Sequence, residues 1–93
     1  MESEDNYGYT PLQTTASKGH VEVVLELLKY GAKVESADKG GRTPLYIAAL
    51  NGQVVIAREL LKHGAKMEIA DNFGYTPLYT AASEGHVEVV REL

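Results

Sequence analysis

The sequence contains no cysteine. No disulfide therefore staples this chain of 93 residues, and no thiol is available as nucleophile or zinc ligand. That suits an intracellular protein, with the cytoplasm as the expected compartment, and it suits an engineered one equally. No apolar run approaches the roughly 20 residues that span a bilayer. The start, Met1-Glu2-Ser3-Glu4-Asp5, lacks the basic residues and apolar stretch of a secretory leader, so none is expected. Positive charge is scarce: Lys and Arg number 9 against 13 Asp and Glu, for a net charge of -4. Such a balance gives no attraction to phosphate backbones or anionic lipid, which sets nucleic acid and membrane aside as partners. Charged residues at 24% and hydrophobic ones at 44% fit one folded domain rather than a disordered chain.

What is present is repetition. Thr10-Pro11-Leu12 returns as Thr43-Pro44-Leu45 and Thr76-Pro77-Leu78, each step being 33 residues. Asp5, Asp38 and Asp71 keep that step, as do Gly8, Gly41 and Gly74, then Gly19, Gly52 and Gly85. Gly31 and Gly64 follow the same register. Residues 5–27 and 71–93 agree at 18 of 23 positions. One array over residues 1–93 is expected, with repeats at about 5–37, 38–70 and 71–93.

Each repeat reads as two short helices. Thr10, Thr43 and Thr76 stand as N-caps, with proline at the first helical position, where its missing N–H costs nothing. Gln13 completes a capping box in the first copy. Leu12 with Ala16, Leu45 with Ala49, and Leu78 with Ala82 share one face of the first helix. Gly19, Gly52 and Gly85 end that helix in the left-handed conformation. The second helix carries an apolar stripe: Val23, Val24, Leu27 and Leu28; Ile56, Ala57, Leu60 and Leu61; then Val89, Val90 and Leu93. Isolated helices of fewer than roughly 12–15 residues are marginal in water, so stability must come from stacking one repeat on the next. The spacing predicts an all-α helical solenoid with short turn or hairpin tips.

The pattern Asp-x-x-Gly-x-Thr-Pro-Leu-x-x-Ala-Ala-x-x-Gly-His-x-x-Val-Val resembles the ankyrin repeat. Asp71 to Val90 carries it nearly whole, and Leu60-Leu61-Lys62-His63-Gly64-Ala65 carries the back of the unit. The resemblance covers essentially the entire chain. It implies an intracellular scaffold that binds a partner protein and has no catalytic activity of its own. It also implies a place for the partner: the turn tips and the exposed, concave side of the first helix. Two departures stand out. The histidine that usually follows Thr-Pro-Leu is replaced by Gln13, Tyr46 and Tyr79, so its usual hydrogen bonds are replaced or absent. The stretch after Gly-Ala reads Lys33-Val34-Glu35 and Lys66-Met67-Glu68. The asparagine that hydroxylases modify in some relatives is missing there, and that modification is not carried over.

Mapped onto this chain, the implied contact residues are Tyr7 and Tyr9, Lys39 and Arg42, and Phe73 and Tyr75 at the tips. Lys18, Leu50, Asn51 and Glu84 lie on the first helices, with Gln13, Tyr46 and Tyr79 bordering them. Of the seven ring residues only Tyr30 falls outside this set, and aromatics and Arg dominate binding hot spots. The tyrosines either form binding surface or pack against a neighbouring turn and stiffen the array. With Lys39 and Arg42 between aromatic ends, the stripe is expected to meet a partner with apolar and acidic features. No catalytic, cofactor or metal residues are assigned. The carboxylates are scattered rather than paired, and no nucleophile–base constellation or phosphate loop is present. His20 and His86 are equivalent positions two repeats apart, too distant to share a metal when each packed helix layer adds roughly 8–10 Å.

Glu2-Ser3-x-Asp5 matches Glu35-Ser36-x-Asp38, so the chain is expected to start inside a preceding linker and to stop at Leu93 without a closing turn. Repeat arrays normally carry polar caps at their ends. Without them, marginal stability or head-to-tail self-association through open ends is expected, and a self-assembling structural fragment is the alternative to a binding scaffold. Light scattering over a concentration series tests this: apparent mass should rise with concentration, and a folded monomer at high concentration would count against it.

Overall fold

The computed structural model describes residues 4–93, so the Glu2-Ser3 part of the linker match lies outside the described residues. Among the described residues six helices follow one another: α1 (Pro11–Lys18), α2 (Val21–Lys29), α3 (Pro44–Leu50), α4 (Val54–Lys62), α5 (Pro77–Ser83) and α6 (Val87–Glu92). Each odd-numbered helix starts on its threonine in extended conformation, followed by proline. The hydroxyl oxygens of Thr10, Thr43 and Thr76 accept from the backbone N–H groups of Gln13, Tyr46 and Tyr79 at 3.3, 3.2 and 3.1 Å. Caps of this kind are worth about 1 kcal/mol each. The reciprocal bond of a capping box forms in α1, where the Thr10 N–H donates to Gln13 Oε1 at 3.0 Å.

Glycine turns the chain between the helices of each pair. Gly52, at φ 69, shows why no other residue serves. Its backbone is left-handed, and a Cβ there would fall 2.7 Å from Nδ1 of His86 on the next helix pair. The same His86 holds its Nε2 3.0 Å from the Leu50 carbonyl, so the ring straps the second pair to the third. His63 lies with Nδ1 2.9 Å from the Glu59 carbonyl, within its own helix pair. Among the described residues no three His, Cys, Asp or Glu gather as metal ligands would.

The pairs stack in two layers. α1 packs on α3 and α3 on α5; α2 packs on α4 and α4 on α6. One apolar core runs through the joints, built from Leu12, Ala16, Val24, Leu45, Ala48, Ala49, Ile56, Ala57, Leu60, Ala81 and Val89. Fully burying a leucine stabilises by about 1.5–3 kcal/mol, so these contacts outweigh any single cap. The small residues matter for reach: Ala48 and Ala49 are wholly buried and let α3 approach its neighbours on both sides.

Equivalent positions differ in burial according to their neighbours. Leu45 is fully buried under α5, whereas Leu78 is 44% exposed. Ala16 and Ala49 are buried, and Ala82 is exposed. Ile56 and Val89 are fully buried, whereas Val23 is 46% exposed. The apolar face expected at Leu78 and Ala82, and the stripe expected at Val23, are therefore uncovered. The reason is geometric: each of these side chains faces a side on which no helix pair lies among the described residues. Leu27 and Leu61 are half-buried and flank the core instead of filling it. Among the described residues no helix is long and apolar enough to cross a membrane.

Candidate functional site

The tips are built on the repeated aspartates, a role the sequence reading left unassigned. Asp5 Oδ1 accepts from the N–H groups of Tyr7 and Tyr9 at 2.8 and 3.0 Å. Asp38 Oδ1 does the same for Gly40 and Arg42, and Asp71 Oδ1 for Phe73 and Tyr75. A backbone bond closes each tip, as from the Asp71 N–H to the Tyr75 carbonyl at 2.8 Å. Neighbouring tips are also tied: the Asn72 N–H donates to the Gly40 carbonyl at 2.9 Å, and Asn72 Nδ2 to the Lys39 carbonyl at 2.9 Å. The tips thus form a fixed row, and that row positions the aromatic side chains.

The residue after Thr-Pro-Leu has two different fates. Gln13 and Tyr46 turn inward, 1% and 7% exposed. Gln13 Nε2 donates to the Arg42 carbonyl of the next tip. The Tyr46 hydroxyl interacts electrostatically with the Asp71 carboxylate and with Thr80 of the third pair. Gln13 thus bonds both within its own repeat, to the Thr10 N–H, and across the joint, to Arg42. Gln13 and Tyr46, expected to border the binding stripe, are therefore struts, and Tyr46 shows only a rim at the surface. Tyr79 behaves otherwise. It is 55% exposed and stacks on Tyr75, with centroids 4.6 Å apart and planes 9° from parallel.

The cationic middle of the stripe is also committed internally. Arg42 Nε lies 2.9 Å from Asp38 Oδ2, and its NH2 group donates to the Tyr9 hydroxyl at 2.7 Å. Burial disfavours the Arg42 charge, but Asp38 and Tyr9 overcome it and hold the proton more tightly than usual. Lys39 donates from Nζ to the Asn6 carbonyl at 3.2 Å. Arg42 is thus neutralised by Asp38, whereas Lys39 is exposed and keeps its charge, since a carbonyl does not offset it.

Grooves open along this face. One, of about 380 Å³, lies between α1 and α3 and includes Tyr9, Gln13, Ser17, Lys18, Arg42, Leu50 and Asn51 in its walls. A second, of about 300 Å³, lies between α3 and α5, with Tyr46, Leu50, Tyr75, Tyr79, Ser83 and Glu84. A third, of about 400 Å³, runs between the tips beside Arg42, Phe73 and Tyr75. Of the residues expected at the contact surface, Tyr9, Gln13, Lys18, Arg42, Tyr46, Leu50, Asn51, Phe73, Tyr75, Tyr79 and Glu84 come together on the groove walls. Tyr7 stands out at a tip, 71% exposed, with its ring 6.0 Å from that of Tyr9. Lys39 sits at the tips outside the groove walls. Asn51 is braced by a bond from Nδ2 to the Ile47 carbonyl at 2.9 Å.

Comparison with known proteins agrees with this architecture. The family model described as ankyrin repeats, three copies, matches residues 1–71 and again 35–93. No curated protein matches the chain.

The Tyr46 strut yields a stability prediction. Burial opposes the Asp71 charge, but the N–H groups of Tyr75 and Phe73, the Tyr46 hydroxyl and the Arg42 charge outweigh it and lower the Asp71 pKa below its ordinary 3.8. A depressed carboxylate pKa contributes stability above the unfolded-state value, and that stability is lost as pH falls through the folded-state value. Tyr46→Phe should thus lower unfolding free energy in urea by about 1 kcal/mol at pH 7. The gap should narrow below about pH 4, as Asp71 takes up its proton. An unchanged midpoint at pH 7 would mean that the hydroxyl carries no load in the joint.

Proposed function

The chain belongs to the ankyrin repeat family, and on that premise we propose that it binds a partner protein along the grooved face formed by its tips and first helices. Ankyrin repeats are generally protein-interaction modules and typically non-enzymatic scaffolds. The observation that carries the reading is the placement of exposed rings. Phe73, Tyr7, Tyr79 and Tyr75 are 83%, 71%, 55% and 43% exposed, all on this one side. Solvent-exposed rings in a fixed row are costly to leave bare and suited to cover, since aromatic side chains give large contact area for few rotatable bonds. The backing is rigid, because aspartate caps and cross-tip bonds hold the loops from which the rings project. Little ordering of the face is needed when a partner arrives.

A second reading has an observation of its own. Leu78, Tyr79 and Val87 are exposed on one side of the stack and Val23 on the other. The equivalents Leu45 and Ile56 are buried at internal joints. A second copy stacked head-to-tail would cover these positions as the internal joints do. The concentration series described for the sequence separates this reading from the first.

The test of the binding face uses peptides selected from a random linear library for affinity to the chain. Alanine at Tyr9 and Tyr75 together should weaken the selected peptides by about 1 kcal/mol or more per residue. Alanine at Tyr30, 64% exposed and away from the grooves, should leave affinity unchanged. Binding indifferent to the Tyr9 and Tyr75 changes would sink the proposal.

A further inference from the structure

The groove between α3 and α5 differs in chemistry from the one between α1 and α3. Tyr46, Tyr75 and Tyr79 line it together with Glu84, and no Lys or Arg does. Tyr75 and Tyr79 lie parallel, 4.6 Å apart. A tyrosine ring is electron-rich over its face, and in a stacked pair the outward face of each ring stays open to a cation while the inward faces cover each other. Both rings keep substantial exposure in spite of stacking, at 43% and 55%. Glu84 is the C-cap residue of α5, where the last carbonyls of a helix add partial negative charge. Its carboxylate is exposed beside the rings.

The equivalent positions show that this sign is local. Lys18 stands in the first repeat where Asn51 stands in the second and Glu84 in the third. The charge of the face therefore reverses along the stack. Arg42, on the tip side, is tied to Asp38 and Tyr9 and is not available to neutralise Glu84.

Building on the binding face proposed above, we infer that the α3–α5 groove takes a cationic side chain, Lys or Arg, from an extended segment of the partner. The ammonium or guanidinium group lies over the outward face of the Tyr75–Tyr79 stack and faces Glu84. An acidic side chain is repelled there. A purely apolar one gains the rings but leaves Glu84 partly desolvated with no counter-charge. The opposite polarity at Lys18 orients the segment, with its basic residue toward the third repeat.

The experiment selects random linear peptides on the full chain and on its Glu84→Lys and Tyr79→Ala variants. Both substituted side chains are exposed, and circular dichroism checks that each variant stays folded. Peptides selected on the unaltered chain should share a Lys or Arg at a fixed position. Replacing that residue by alanine, or introducing Glu84→Lys or Tyr79→Ala, should each lower affinity about threefold to tenfold. Selection on Glu84→Lys should lose the basic preference. Peptides that respond to alanine at Tyr75 yet lack a basic residue, or that bind Glu84→Lys unchanged, would overturn the inference while leaving the binding face intact. Peptides indifferent to both Tyr9 and Tyr75 would overturn the binding face itself, and the inference with it.

Discussion

The joint between helix pairs is the constraint on which the rest depends. Helices of six to nine residues have too few internal bonds to persist alone. Each therefore owes its existence to a neighbour, and the neighbour must come close along the whole contact. That requirement explains the alanines at 48 and 49, the glycine at 52 and the leucines at 12 and 45, all of which lie in or against a joint. The apolar part carries most of the energy, at about 1.5–3 kcal/mol per fully buried leucine. The polar part sets the register. Gln13 and His86 each place a polar atom on a particular partner of the adjacent pair, and a slip of the stack would leave those partners unsatisfied.

The grooved face is a consequence of those joints. Grooves open where successive first helices meet, and their depth is set by whichever side chain follows Thr-Pro-Leu. At Gln13 and Tyr46 that side chain is drawn inward. At Tyr79 it stays out and joins Tyr75 and Phe73 as a patch of rings. One repeated position thus serves either as a strut or as surface, depending on whether a helix pair lies over it. The tips work similarly. Asp38 pairs with the charge of Arg42, leaving aromatic area and the exposed Lys39 as the main resources of the tips.

The period, the caps and the turns were legible in the sequence because each depends on local chemistry: threonine before proline at a helix start, glycine wherever φ must be positive. The helices of the described residues stand where that chemistry put them. What was not legible depends on contacts between repeats. Val23 has the helical spacing of a core residue, but spacing identifies a face and not what covers it. Tyr46 and Tyr79 occupy the same position in near-identical motifs, and nothing local distinguishes the buried one from the exposed one. Arg42 reads as a free cation until its four-residue spacing from Asp38 is folded into a tip, which brings the pair to 2.9 Å. The repeated aspartates were visible as a pattern. Their side-chain acceptors, spaced for amides two and four residues on, were the signal that could have assigned their role.

If joints hold the array together, stability should be highest where joints lie on both sides. Native-state amide hydrogen exchange measures this residue by residue. Protection is expected to peak in α3 and α4 and to decline through α1 and α2 in one direction and α5 and α6 in the other. Equal protection in all three pairs, or a maximum in an outer pair, would contradict the claim that stacking rather than each pair's own structure holds the binding face in place.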